Sequence, residues 1–214
     1  MNRQRRGHRH GVAATASAIH TAARFAVGTA SENQSASERF DEVYEAHVDF
    51  VWRNVRRLGV PDFGADDVVQ SVFVVIFRRL DGFDGRASLR TWIYAIVLRT
   101  VREYRRSMRR KSPHASDPVD PGTLSAPSEE RPDAMAGRAE AARVVQELLD
   151  GLEDDKREVF VLAELERLTL REIAAILGEP AGTIATRLRA ARADFEHAAR
   201  RHRAKDEWRV RWTA

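Results

Sequence analysis

Residues 169–188 read Thr169-Leu-Arg-Glu-Ile-Ala-Ala-Ile-Leu-Gly-Glu-Pro-Ala-Gly-Thr-Ile-Ala-Thr-Arg-Leu188, and their local signals are those of two helices set across a tight turn. Thr169 with Glu172 three residues later is a capping box, in which the hydroxyl accepts an early helical amide and the carboxylate reaches back. Ile173, Ile176 and Leu177 follow as the apolar side of a short helix. Gly178 is able to take a left-handed conformation at its end, and Pro180 prevents continuation. A second helix starts near Ala181 after a four-residue turn, with Ile184, Leu188 and Ala191 facing the body of the module. Thr183, Thr186, Arg189 and Ala190 then face outward, flanked by Arg187 and Arg192, while the small Ala174 lets the two helices cross closely. This is the geometry that enters a DNA major groove, the small residues admitting base edges and the arginines holding phosphates. A helical hairpin used only for packing is the alternative reading.

Working outward, the same module opens with a helix over Ala139 to Leu149, carrying Ala142, Val145 and Leu149 on one face, and a second over Glu153 to Leu165. Upstream, five of the seven prolines fall between Ser112 and Pro132, in a Ser/Asp/Glu-rich stretch that reads as a linker. The chain divides into a basic disordered extension (1–37), a first module (38–111), the linker (112–138), a second module (139–200) and a tail (201–214). The fold class is all-α, with two small helical domains and a helix-turn-helix in the C-terminal one. Modules of this size bury modest cores, so each gains stability from a partner.

In the first module Phe40, Val43, Tyr44, His47, Val48, Val51, Val55 and Leu58 form one helical stripe, with Ser35-Ala-Ser-Glu38 offering its capping box. A Gly59–Gly64 turn follows, then a helix over Ala65 to Leu80 whose apolar positions are Val69, Val72, Phe73, Ile76 and Leu80. The β-branched run Val72–Ile76 leaves a strand open. Helix is preferred because Asp66 and Asp67 would sit in the first turn and Arg78 and Arg79 in the last, each at the favourable end of the dipole. A third helix runs from about Ser88 to Arg110 and changes character midway. Leu89, Trp92, Ile93, Ile96 and Val97 are apolar; Arg99, Arg102, Arg105, Arg106, Arg109, Arg110 and Lys111 place seven cations in thirteen residues against Glu103 alone. Capping accounts for two or three of these. Ahead of them lies the loop Phe83-Asp-Gly-Arg-Ala-Ser88, with Trp92 and Tyr94 beside it. Rings that stack bases next to cations that hold phosphates are what single-stranded nucleic acid needs, although a core role for Trp92 is the plainer expectation.

Composition sets the outer bounds. The chain has 214 residues, no cysteine, 36 Lys+Arg against 32 Asp+Glu, and a formal net charge of +4; 33 of the 36 basic residues are arginine. Disulfide scaffolds and thiolate metal sites are excluded. The longest apolar run, Val72–Phe77, is far short of the roughly 20 residues that span a bilayer. The basic start and Ala-rich stretch to Ala30 superficially resemble a signal peptide, but His20 and Arg24 interrupt it, and a cytoplasmic disordered arm fits better. No nucleophile elbow, phosphate-cradling Gly loop or metal-ligand spacing is present, so no enzyme, metal or cofactor is expected. His8 and His10 offer at most adventitious metal binding, and His197 and His202 do not share a helix face. His47 on its apolar stripe reads as a partly buried histidine rather than a general base.

Ala65-Asp-Asp-Val-Val-Gln-Ser-Val-Phe73, then Phe83-Asp-Gly-Arg-Ala-Ser-Leu-Arg-Thr-Trp-Ile-Tyr94, and downstream Arg171-Glu-Ile-Ala174 with Gly182-Thr-Ile-Ala-Thr-Arg-Leu188 resemble bacterial RNA polymerase sigma factors of the small extracytoplasmic-function type. The resemblance covers both modules in order. It implies a transcription initiation factor that binds core RNA polymerase (beta and beta-prime subunits), directs it to promoters and helps open the minus-ten region. It implies core-polymerase contacts by Asp66, Asp67, Gln70 and Phe73. Minus-ten contacts fall to Phe83, Arg86, Ser88, Trp92, Tyr94, Arg99, Arg102, Arg105 and Arg106. Minus-thirty-five contacts fall to Arg171, Thr183, Thr186, Arg187, Arg189 and Arg192. It further implies a cytoplasmic protein, nucleoid-associated when bound to polymerase, often held by an anti-sigma factor, with no small-molecule substrate. The chain has Leu98-Arg99 where the family commonly has Arg-Asn, and Leu152-Glu153 where it commonly has Leu-Pro. A stand-alone helix-turn-helix regulator binding a palindrome as a dimer is the competing function. Alternating Trp, Val and Arg at Trp208–Trp212 falls outside the resemblance and reads as a disordered tail.

Overall fold

A computed structural model describes the backbone of residues 30–111 and 132–213, with side chains at 37–111, 137 and 139–205. Residues 1–29, with His8, His10, His20 and Arg24, lie outside it. Every regular element among the described residues is helical.

In the first module α1 (Ala30–Arg57) packs on α2 (Asp62–Arg79) and α3 (Leu89–Lys111). α1 begins before the expected boundary, so Ser35 lies inside the helix rather than capping it. Its stripe is as read: Phe40, Val43, Tyr44, Val51, Val55 and Leu58 are buried, and His47 and Val48 half-buried. Burial, and then the charge of Arg90, lowers the pKa of His47.

α2 is a helix throughout the Val72–Ile76 run, because Val68, Val69, Val72, Phe73 and Ile76 bury one face at three- and four-residue spacing. It starts one turn early. Pro61, extended at φ −66°, leads into Asp62, which is the first-turn carboxylate and pairs with Arg56 at 2.8 Å. Asp66 and Asp67 therefore lie in the second turn, on the exposed side. Rings close the core: Phe40 meets Phe73 and Phe77 edge-on at 6.3 and 5.1 Å, and Tyr44 lies 4.6 Å from Phe73.

The second module contains α4 (Pro132–Asp150), α5 (Asp154–Phe160), α6 (Leu170–Leu177) and α7 (Ala181–Thr213). α4 opens inside the stretch expected to be linker, with proline in the first turn, where its missing amide costs nothing. On α4 Leu149 is buried and Val145 half-buried, but Ala142 is exposed. α5 continues as a π turn over Val161–Leu165. α7 packs across α5, where Phe160 and Phe195 stack at 4.4 Å. α7 runs on through Thr213, so the segment expected to be a disordered tail extends the helix; the side chains of Trp208 and Trp212 are outside the description.

Candidate nucleic-acid interface

The helix-turn-helix forms as its local signals dictate. Thr169 Oγ1 accepts the Glu172 amide at 3.3 Å, and Glu172 accepts the Thr169 amide at 2.8 Å. The Thr169 amide, and then the Thr169 hydroxyl, which donates to the same carboxylate at 2.7 Å, lower the pKa of Glu172. Gly178 takes the left-handed conformation (φ 70°, ψ 28°) and returns its amide to Ala174 at 2.9 Å. Three residues, Gly178 to Pro180, then separate α6 from α7. Ile184, Leu188 and Ala191 are buried, while Thr183, Thr186, Arg189 and Ala190 are exposed, as the phase of the sequence requires. Arg171 is also exposed. Arg187 is held on Glu179 at 2.7 and 2.9 Å, which lowers the glutamate's pKa, and Arg192 pairs with Glu164 at 2.6 Å. The open face is therefore Arg171, Thr183, Thr186 and Arg189, with the two flanking arginines already engaged.

α3 separates the basic run into two faces. Trp92, Arg99, Arg106 and Arg110 share one phase of the helix, and Arg102, Arg105 and Arg109 share another roughly 90° away. On the outward face Arg99, Arg106 and Arg110 are exposed, with Arg99 in a surface pair with Glu103 at 3.3 Å. Ahead of them Phe83 and Trp92, both half-buried, contact each other with ring centroids 5.3 Å apart. Arg86 is 89% exposed and pairs with Asp84 at 3.1 Å. Ser88 is exposed, but its hydroxyl caps α3 by accepting the Thr91 amide at 3.0 Å.

Four expected contacts are placed differently. Tyr94 is 1% exposed, with a pKa raised well above normal first by burial, so its ring is core rather than a platform for bases. Phe73 is wholly buried and supports α2 from within. Arg105 is 9% exposed and is spent on Glu158 at 3.1 Å and on the Leu58 carbonyl. Arg102 is half-buried, and its hydrogen bonds to Glu158 raise its pKa.

What remains open on α2 is Asp66, Asp67 and, half-buried, Gln70. Phe63, 67% exposed, stands at i−4 to Asp67 and i−7 to Gln70 and joins this face. Sequence reading passed it over, although an aromatic directly after Pro61-Asp62 and off the buried stripe was a signal. Glu158 was also missed. A carboxylate inside the apolar run Glu158-Val-Phe-Val-Leu162 needs a cationic partner to be buried there. At the two departures noted above, Leu98 is buried with Arg99 exposed, and Glu153 precedes α5 without a side-chain cap.

Comparison with known proteins gives these surfaces a class. Residues 43–111 match the Sigma-70 region 2 family, and residues 142–195 match Sigma-70, region 4. The ECF RNA polymerase sigma-E factor of Escherichia coli (strain K12) is 32% identical over 140 residues, 62% of this chain and 72% of that protein. The RNA polymerase sigma factor NccH of Alcaligenes xylosoxydans xylosoxydans is 31% identical over 157 residues, 72% of this chain and 83% of that one. Among solved structures, CnrH in complex with the cytosolic domain of CnrY is similar at a TM-score of 0.52 and 26% identity, covering 88% of this chain and 94% of that one. The sigma factor RpoE of Bartonella quintana, in complex with the anti-sigma factor NepR, shares the fold at a TM-score of 0.61 and 19% identity, over 76% of this chain and 98% of that one. Two sigma-70 modules in one chain define a promoter-directing initiation factor of RNA polymerase, within a non-enzymatic family of transcription factors. The chain belongs to the extracytoplasmic-function (ECF) sigma factors. Among the described residues no helix is long and apolar enough to cross a membrane.

Proposed function

We propose that this ECF sigma factor divides its work among three exposed faces. The α2 face of Phe63, Asp66, Asp67 and Gln70 docks on core polymerase. Phe83 and Trp92, with Arg86, Arg99 and Arg106, capture unpaired bases and phosphates of the minus-ten strand. Arg171, Thr183, Thr186 and Arg189 read the minus-thirty-five duplex, with Arg187 and Arg192 placed at its edges. The observation that carries this reading is the outward stripe of α3: a ring pair at its head and three exposed arginines behind it, on a helix whose other side is core. Opening costs about 1.4 kcal/mol of stacking per base-pair step, which captured bases and polymerase contacts must offset together. The protein accordingly works in the cytoplasm, on the nucleoid when bound to polymerase. An anti-sigma protein, as NepR is for RpoE, would act by covering these faces.

The test is run-off transcription with saturating sigma-free core polymerase on genomic promoter fragments. The intact chain should initiate at a defined set of promoters, Asp67→Ala should lose initiation at all of them, and Arg189→Ala should lose it selectively. Core-independent binding to a palindrome without initiation would instead support the stand-alone regulator.

A further inference from the structure

Tyr104 lies on α3 two positions before Arg106, which turns it roughly 160° away from that member of the outward stripe. Val97 and Val101, one and two turns earlier on the same side, are wholly buried, and α3 packs on α2 there. The tyrosine itself is half-buried, so its ring leaves the core at the edge of the joint. Across the joint stands Gly64: a Cβ built on it would overlap the tyrosine hydroxyl, with the ring carbon behind that oxygen at 2.9 Å. The polar end of the ring therefore rests on bare backbone of α2, where any side chain would displace it. Gly64 is next to Phe63 and one turn before Asp67 on the same side of α2. Burial, and then the charge of Asp67, raises the pKa of Tyr104, so the phenol stands within the field of that carboxylate.

Helix packing alone does not call for this pair. A branched aliphatic side chain at 104 facing a small one at 64 would close the same joint. A phenol laid over a glycine instead brings a ring to the rim of the acidic α2 face. Rings with a polar tip are the residues that anchor protein interfaces, and a ring beside a carboxylate is a seat for a cation, which the carboxylate pairs with and the ring face attracts. We propose that Tyr104 belongs to the surface that docks on core polymerase, where Tyr104 and Asp67 together seat a cationic side chain of the polymerase. This rests on the reading that Phe63, Asp66, Asp67 and Gln70 form that surface, and extends it from α2 onto α3. Gly64 is then a positioning residue, which holds the ring in place without touching the partner. The consequence lies in α3: polymerase grips it on one side while Arg99 and Arg106 hold the strand on the other. Docking thereby fixes the strand-capturing helix directly, rather than through α2 alone.

The test is competition between full-length variants and a dye-labelled parent chain for sigma-free core polymerase, beside thermal melts. Because the protein has no cysteine, one dye goes cleanly on Ala193→Cys, an exposed position on the second module. Tyr104→Ala should bind core about thirtyfold more weakly, as loss of an interface anchor does. Tyr104→Phe, which keeps the ring, should recover affinity to within about threefold of the parent. Gly64→Ala should weaken core binding about tenfold by displacing the ring, with a thermal midpoint at or above the parent's, since alanine suits a helix better than glycine. In the double variant Gly64→Ala should add nothing to Tyr104→Ala, because the ring it displaces is gone. Run-off by Tyr104→Ala should return at saturating core, the loss being one of affinity. A folded Tyr104→Ala that binds core like the parent would overturn the proposal. So would a Gly64→Ala that loses stability and keeps core affinity, since Tyr104 would then only tie α2 to α3; this variant keeps the test alive if Tyr104→Ala fails to fold. A run-off loss that persists at saturating core would also overturn it, by placing Tyr104 in strand opening. If Asp67→Ala weakens core binding and the Tyr104 and Gly64 variants do not, the extension onto α3 falls alone. If Asp67→Ala leaves core affinity unchanged, the docking reading of α2 falls and the proposal falls with it.

Discussion

At the scale of single residues, burial separates those that support a face from those that present it. Phe73 and Asp67 both lie on α2, one wholly buried and the other exposed. Phe73→Ala should cost about 3–5 kcal/mol by removing a buried ring, enough to unfold so small a module, whereas Asp67→Ala should leave the thermal midpoint within a degree or two of the parent and still lose transcription. Thermal melts beside run-off assays distinguish the two. Among the described residues the Tyr94 hydroxyl finds no hydrogen-bond partner, although the residue is 1% exposed. Tyr94→Phe should therefore be neutral or stabilising by up to about 1 kcal/mol in denaturant unfolding, with promoter opening retained, since the ring serves as core. A fall in opening without a fall in stability would return Tyr94 to the DNA.

At the scale of elements, α6 depends on its cap. Thr169→Ala should destabilise the protein by about 1 kcal/mol. Glu172, partner in the same capping box, has a folded pKa below its unfolded one. Its contribution is therefore full above the unfolded value and is lost as pH falls through the folded one. The difference between parent and Thr169→Ala in thermal melts should accordingly shrink as pH drops below about 4. The turn between α6 and α7 was legible residue by residue, because a capping box, a left-handed glycine and a proline are local signals that need no tertiary context. Element starts were less legible. α1 runs back to Ala30 past an attractive Ser35–Glu38 pattern, and α2 starts at Asp62 because Pro61 sets the entry, so a carboxylate pair deeper in the helix looked like its first turn. The character of α3 was legible only in part: its apolar front half and seven-cation rear half stood in the sequence, but not that three of the cations turn toward a neighbouring module. That division depends on Glu158 and Asp154, more than forty residues downstream, and no local pattern encodes it.

At the scale of the whole molecule, two small helical modules place three open faces on one chain and use arginine for nearly all of its positive charge. Arginine's fixed fork suits both phosphates and carboxylates, so the residue type proposed for recognition is also the one that makes the contacts between modules. Binding of single-stranded promoter DNA by the polymerase complex should fall steeply with salt. Arg99→Ala and Arg106→Ala should each weaken it across sequences and reduce the log–log salt slope by about 0.7. The most direct measurement is permanganate reactivity of unpaired thymines in the minus-ten region, with saturating core polymerase and the chain carrying Trp92→Ala, Arg99→Ala and Arg106→Ala together. The outward stripe of α3 as the strand-capturing face predicts that polymerase still locates the promoter through α6 and α7 while thymine reactivity is lost; undiminished reactivity in that folded variant would contradict it.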